Sequence, residues 1–260
     1  MKSLKNLGFI ALLSSVALFT SCDDDSKDDT QDPSDNVTYG DFTFEIEHTF
    51  DGNAFAYNTE YTNGSGEKLE FNNLRYYISN IKLEKVDGTV WSEEESYHLI
   101  DHAVPSSSMF LIEDVPTGEY HKISYMIGVD SARNVAGAQE GALSTSNNMF
   151  WSWNTGYIFI KAEGNSLASS DSTFSYHVGG FGGPDAAQVT NSHHMHNHML
   201  NISPNASPQM HIITDVKKLF DGDHHTISIA NLSRVRMPGD DAKMVSHNLA
   251  EAFILDHIHD

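Results

Sequence analysis

The sequence predicts an all-β fold, an antiparallel β-sandwich or barrel-like domain with a short C-terminal helix. Three observations carry this. Apolar residues alternate at period two in several segments, turn signals recur about every ten residues, and helical periodicity is scarce. At 260 residues and 28.8 kDa the chain suits one large β domain or two small ones, and it is long enough to bury a core. No internal repeat, coiled-coil heptad or second linker divides it, so one domain is read from about Val37 to Asp260.

The N-terminus comes first. "MKSLKNLGFIALLSSVALFTSC" carries Lys2 and Lys5, then an apolar run from Leu7 to Phe19, the pattern of a secretory signal peptide over residues 1–21. The run is too short for a stable transmembrane span. "LFTSC" resembles a lipobox, cleaved by signal peptidase II before a lipid-modified cysteine, and Cys22 is the sole cysteine. Lipidation there would anchor the chain to a membrane and leave the mature domain without thiol or disulfide. Residues 22–36 are acidic and carry no apolar run, as in a disordered tether. An acidic run directly after the cysteine resembles the surface-export signal of Bacteroidetes-type lipoproteins. The expected location is the outer membrane, on its outer face rather than its periplasmic one.

In "DFTFEIEHTF", Phe42, Phe44, Ile46, His48 and Phe50 share one face, opposite Asp41, Glu45 and Glu47. His48 therefore points inward, either as a core histidine with a hydrogen-bond partner or as a ligand lining a buried site. "YTNGSGEK" is a turn on Asn63-Gly64 and Gly66. "KLEFNNLRYYISNIKLEKVDGTVW" gives β-rich runs and an Asp87-Gly88 hairpin signal. "SYHLIDH" is a short strand, and two more flank Pro116-Thr117-Gly118. "TGYIFIKAEG", "STFSYHVGG", "QMHIITD" and "HHTISIANL" complete the strands. "TDVKKLFDG" reads as one or two helical turns. "PGDDAKMVSHNLAEAFILDHIHD" reads as the C-terminal helix, capped by Asp240 or Asp241, with Val245, Leu249 and Phe253 on one face.

Charge narrows the function. Thirty-six acidic side chains against 15 basic ones give a formal charge of −21, which repels nucleic acid and attracts cations. H-E-x-x-H and C-x-x-C motifs are absent, so zincin, cysteine-zinc and iron–sulfur sites have no support. Blue copper would need a thiolate that the mature domain does not offer. "GGFGG" has neither the Walker lysine nor Rossmann spacing. No paired acid–base constellation can be picked out, so no catalytic residue is assigned and no enzyme is read.

Histidines are numerous, 15 in all. "NSHHMHNHML", Asn191 to Leu200, holds four of them with two methionines. As a strand it would put His194, His196 and His198 on one face, a donor set for Cu(II), Zn(II) or Ni(II), with thioethers that favour Cu(I). Alternatively it is an exposed loop with weak, promiscuous metal affinity. His224-His225 and His257/His259 are smaller pairs and individually weak signals.

The middle of the chain carries a resemblance. "GVDSARNVAGAQEGALSTSNNMFWSWNTGYIFIKAEG" followed by "FSYHVGG", together with "RYYISNIKL", "DVPTGEY" and "AEAFILDHIHD", resembles the MbnP-like family of copper-binding extracytoplasmic proteins. The W-x-W-x-x-G-Y motif with the downstream H-x-G is its most specific part. The resemblance implies a β-rich fold and copper bound through histidines and a kynurenine. That kynurenine is made from tryptophan by a partner di-haem, MauG-like oxidase. It makes Trp151 or Trp153 the candidate modified residue and His177 a candidate ligand. Opening the indole creates an aryl amine and a ketone, where the intact ring only donates. The family pattern has a histidine after the asparagine of the "GV…N" segment, where this chain has Val135. His48 or the His194–His198 segment could then supply the lost donor; the alternative is a branch that kept the fold and lost the metal. The resulting expectation is a copper-binding lipoprotein that captures or buffers the metal. The alternative is a non-metal surface β-sandwich that binds a glycan, a peptide or a partner protein, with both tryptophans and His177 as core residues.

Overall fold

The computed structural model describes residues 37–137, 139–152, 155–196 and 198–260. Cys22, the expected leader (residues 1–21) and tether (residues 22–36), and Trp153 lie outside the described residues. The chain enters on β1 (Tyr39–Phe50), whose alternation buries Phe42, Phe44, Ile46, His48 and Phe50 as its pattern predicts. Then come β2 (Asn53–Ala54), β3 (Tyr61–Thr62), the long β4 (Lys68–Lys85), β5 (Val90–Ser92) and β6 (Tyr97–Asp101). β7 (Met109–Pro116) and β8 (Gly118–Ile127) precede the short α1 (Ser131–Asn134). β9 (Phe150–Ser152), β10 (Gly156–Tyr157), β11 (Ile160–Asn165) and β12 (Thr173–Val178) follow. β13 (Val189–His194), β14 (Leu200–Ile202), β15 (Gln209–Asp215), β16 (Arg234–Val235), α2 (Asp240–Ala250) and β17 (Phe253–His259) complete the chain.

Two sheets divide these strands. The smaller runs β17-β15-β1-β2, with β7 also on β1. The larger runs β13-β8-β4-β11-β12-β16, with β14 on β8 and β3, β5 and β6 along β4. β9 and β10 form a hairpin of their own. Two pairings are parallel, β1 with β15 and β12 with β16, so the sheets are mixed rather than purely antiparallel. The fold is mostly strand and sandwich-like. Aromatic rings from the two inner faces meet between the sheets. Phe44 of β1 stands edge-on to Tyr125 of β8, with centroids 5.6 Å apart, and Phe253 of β17 stands edge-on to Tyr76 of β4 at 5.5 Å.

The turn between β7 and β8 is one of the places where the chain changes sheets. β7 pairs with β1 and β8 with β4, and Gly118 sits at φ 139°, which side-chain-bearing residues rarely adopt.

Two expected elements differ. The C-terminal helix stops at Ala250, and Phe253 belongs to β17, not to the helix face of Val245 and Leu249. Glu251 caps the helix through its N–H to the His247 and Leu249 carbonyls, and "FILDHIH" then pairs antiparallel with β15. A four-residue spacing cannot distinguish these outcomes, because the edge of β15 that claims Phe253 is remote in sequence. "HHTISIANL" forms no strand beyond an isolated bridge between Asp221 and Thr226, although Ile227 and Ile229 are buried. Its backbone is satisfied by a side chain instead. Glu67 accepts from the N–H of Ile229 at 2.7 Å and of Ala230 at 2.9 Å, and from the Ser228 hydroxyl at 2.8 Å.

Candidate metal-binding site

His48 is 7% exposed and faces the interior from β1. Its Nε2 is bonded to the Tyr76 hydroxyl at 2.8 Å, and its Nδ1 lies 3.2 Å from Nδ1 of His102. Burial, and the second imidazole beside it, push the His48 pKa down to about 3. Burial also lowers His102, against the opposing pull of Asp101. Both rings are therefore neutral at physiological pH, and each can offer a lone pair. Tyr76 occupies the far nitrogen of His48 and so turns Nδ1 toward His102, the arrangement by which a metal-binding histidine is held in one orientation. A cleft of about 280 Å³ opens on this pair, lined by Glu45, Glu47, Ser108 and Met109 among others. The cleft thus carries carboxylates that attract a cation and a thioether that suits a soft one.

His102 escaped the sequence reading. It follows β6 by one residue, and Ile100, two before it, is fully buried. Period-two alternation continued through "HLIDH" would have placed His102 inward with Ile100.

His177 stands elsewhere. In the large sheet Tyr76, Ile160 and Val178 are paired neighbours on the inner face, while Arg75, Lys161 and His177 are paired neighbours on the outer one. His48 and His177 consequently lie on opposite sides of that sheet. On the outer face Nε2 of His177 bonds Oε1 of Glu163 at 2.7 Å, and Oε2 of Glu163 accepts from Asn73 at 2.8 Å. Burial lowers the His177 pKa, and the Glu163 carboxylate works against that shift. Arg75 pairs with Asp101 at 2.9 Å and donates to the Asn147 carbonyl at 3.2 Å, tying the 141–152 segment over this face.

Trp151 is half-buried on β9 and packs against the core. Its ring lies over Gly179, two residues past His177. A methyl group there would stand 2.7 Å from Cζ3 of Trp151 and 2.5 Å from the Tyr157 carbonyl oxygen. Trp151 therefore shares the outer side with His177. Gly179→Ala should destabilise the protein by about 1–3 kcal/mol through overpacking. Urea unfolding would measure the loss, and a shifted tryptophan emission would show the displaced ring. Unchanged stability would mean the ring yields freely.

The histidine-rich segment does not form a three-imidazole face. The strand ends at His194; Met195 turns inward and is buried. His194 and His196 stack at 5.3 Å between centroids, with His121 5.9 Å from His194, all at the surface. His198 departs to pair with Asp260 at 3.0 Å. Among the described residues, none of the three bonds or stacks with His48 or His177. Val135, at the end of α1, is 67% exposed.

The comparisons agree with this architecture. The profile of the MbnP family matches residues 39–238. A solved structure, MbnP from Methylosinus trichosporium, is similar with a TM-score of 0.56 at 14% identity. The match covers 86% of this chain and 99% of that one. At that identity the likeness is one of fold. No curated protein matches.

Proposed function

The chain belongs to the MbnP family, and from that premise we propose that it is an extracytoplasmic lipoprotein that captures or buffers copper. The observation that carries this reading is the buried pair, His48 and His102, with Nδ1 atoms 3.2 Å apart. Two neutral imidazoles with a thioether at the cleft mouth form a donor set suited to Cu(I). His48 and His102 would hold the ion, Tyr76 would keep His48 oriented, and Glu45 and Glu47 would draw cations toward the cleft. Trp151 and His177 would serve a different part of the family chemistry. The ring over Gly179 is the described candidate for oxidation by a di-haem, MauG-like partner. Lipidation at Cys22 would tether the domain to the outer membrane, facing outward.

A competition titration against a chromophoric Cu(I) chelator tests the metal site. The wild-type chain should hold about one equivalent, and His48→Ala/His102→Ala should lose it. A chain that retains no stoichiometric copper, or a double variant that retains it fully, ends the proposal. Intact-mass analysis of protein from its native host tests the tryptophan; an unmodified chain there removes the oxidase from the account.

A second reading rests on its own observation. A cleft of about 680 Å³ is lined by Tyr39, Trp91, Leu111 and Pro116 together with the carboxylates of Glu93, Glu94, Glu113 and Asp114. That surface suits a peptide or partner protein bearing basic residues. It becomes the preferred reading if the chain stays metal-free.

A further inference from the structure

We propose that His211, Asp256 and His257 form a second metal site, for a divalent cation such as zinc, on the outer face of the small sheet. Three strands build it. His211 lies on β15, Asp256 and His257 on β17, and Glu47 on β1 beside them. β15 and β17 pair with a register shift: His211 faces His257 and Ile212 faces Leu255, leaving Asp256 as the extra residue of a bulge. In a regular strand Asp256 and His257 would point to opposite faces. A bulge re-aims side chains, and here both reach His211.

The ligand atoms of the three residues lie within 4.8 Å of one another. Nδ1 of His211 is 3.4 Å from Oδ2 of Asp256, and Nδ1 of His257 is 2.6 Å from the same oxygen. A tetrahedral zinc ion with bonds of about 2.0–2.1 Å sets neighbouring ligand atoms roughly 3.3 Å apart. The first distance already meets that spacing. The second is a hydrogen bond whose proton the cation would displace, so uptake releases a proton.

The far nitrogens are also held. Nε2 of His211 pairs with Oε2 of Glu47 at 3.3 Å, and Nε2 of His257 pairs with Nε2 of His259 at 2.7 Å. A carboxylate behind a ligand, as Glu47 stands behind His211, is the arrangement that orients zinc-binding histidines, and His259 is the group that holds the far nitrogen of His257. Neither Asp256 nor Glu47 has a lysine or arginine partner among the described residues. Three protein ligands leave the fourth position to water, and nitrogen with oxygen and no sulfur favours a borderline divalent ion over Cu(I). The family profile matches residues 39–238, and Asp256, His257 and His259 lie beyond that stretch.

Isothermal titration of the full chain with Zn(II) tests the site. One high-affinity equivalent is expected. His211→Ala/His257→Ala should weaken it at least about 100-fold, and Glu47→Gln, which leaves the ligands in place, about tenfold. Asp256→Asn, a single exposed change, gives a second variant should the double one fold poorly. His194→Ala/His196→Ala/His198→Ala should leave the equivalent intact. No zinc bound by the wild type, or full affinity in both His211→Ala/His257→Ala and Asp256→Asn, would overturn the proposal. So would loss of the equivalent in the His194/His196/His198 variant. The two sites fail separately: His48→Ala/His102→Ala should keep its zinc, and His211→Ala/His257→Ala should keep its Cu(I).

Discussion

Tyr76→Ala is expected to lower the unfolding free energy by about 3–5 kcal/mol, as for other large aromatic truncations in a core. Tyr76 is fully buried at the centre of β4, where the two sheets face each other. Its ring stands edge-on to Phe253 at 5.5 Å and to His48 at 5.7 Å, and its hydroxyl bonds His48 Nε2 at 2.8 Å. Truncation removes the ring from both contacts and leaves His48 without the group that orients it. The neighbours are strand residues from both sheets, held by their ladders, so the cavity can close only in part. Tyr76→Phe separates the two losses. It keeps the ring and removes one buried hydrogen bond, for a cost of about 1–3 kcal/mol. Urea unfolding with a constant m-value measures both. Equal losses in the two variants would mean that the hydroxyl, and not the packing, holds the sheets here.

The second large effect is acid sensitivity of the metal-free protein. An unfolded chain protonates His48 with a pKa near 6.5, whereas burial holds the folded one down to about 3. Below pH 6.5 the unfolded state therefore binds a proton that the native state refuses. The stabilisation is complete above the unfolded pKa and is lost as pH falls from 6.5 toward 3. At pH 5 His48 alone would remove about 2 kcal/mol relative to neutral pH. His102 faces it and is also lowered, Asp101 stands beside His102, Glu45 and Glu47 line the cleft, and Tyr76 stays protonated. Burial lowers His177 and His193 as well. His48→Gln should remove one histidine's share of the slope between pH 6.5 and 5, a range in which ordinary carboxylates remain ionised. Chemical denaturation across that range reads it. A slope identical to wild type would place the native-state protonation of His48 near its ordinary value.

Legibility followed how local each signal was. Alternation in "DFTFEIEHTF" fixed the inward set of β1, including His48, because a strand's period depends on its own backbone alone. The W-x-W-x-x-G-Y motif and the downstream histidine pointed to the family, and the profile match over residues 39–238 bears that out. The C-terminal segment misled. Val245, Leu249 and Phe253 fit one helical face, but pairing with β15 outweighs propensity after Ala250. The histidine-rich segment left two readings open, a three-imidazole strand face and an exposed loop. Its donors are adjacent in sequence, but the strand stops at His194 and His198 leaves for Asp260.

By itself, the sequence determined the all-β class, the inward face of β1, the family and the acidic composition. Composition and short-range periodicity are enough for these. Tertiary structure decided which histidines remote in sequence meet. His48 and His102 are 54 residues apart and His211 and His257 are 46 apart, and each pair is brought together by packing or strand pairing. Register parity also decided that His177 would face away from His48, since one residue of register sends a side chain to the other face of a sheet.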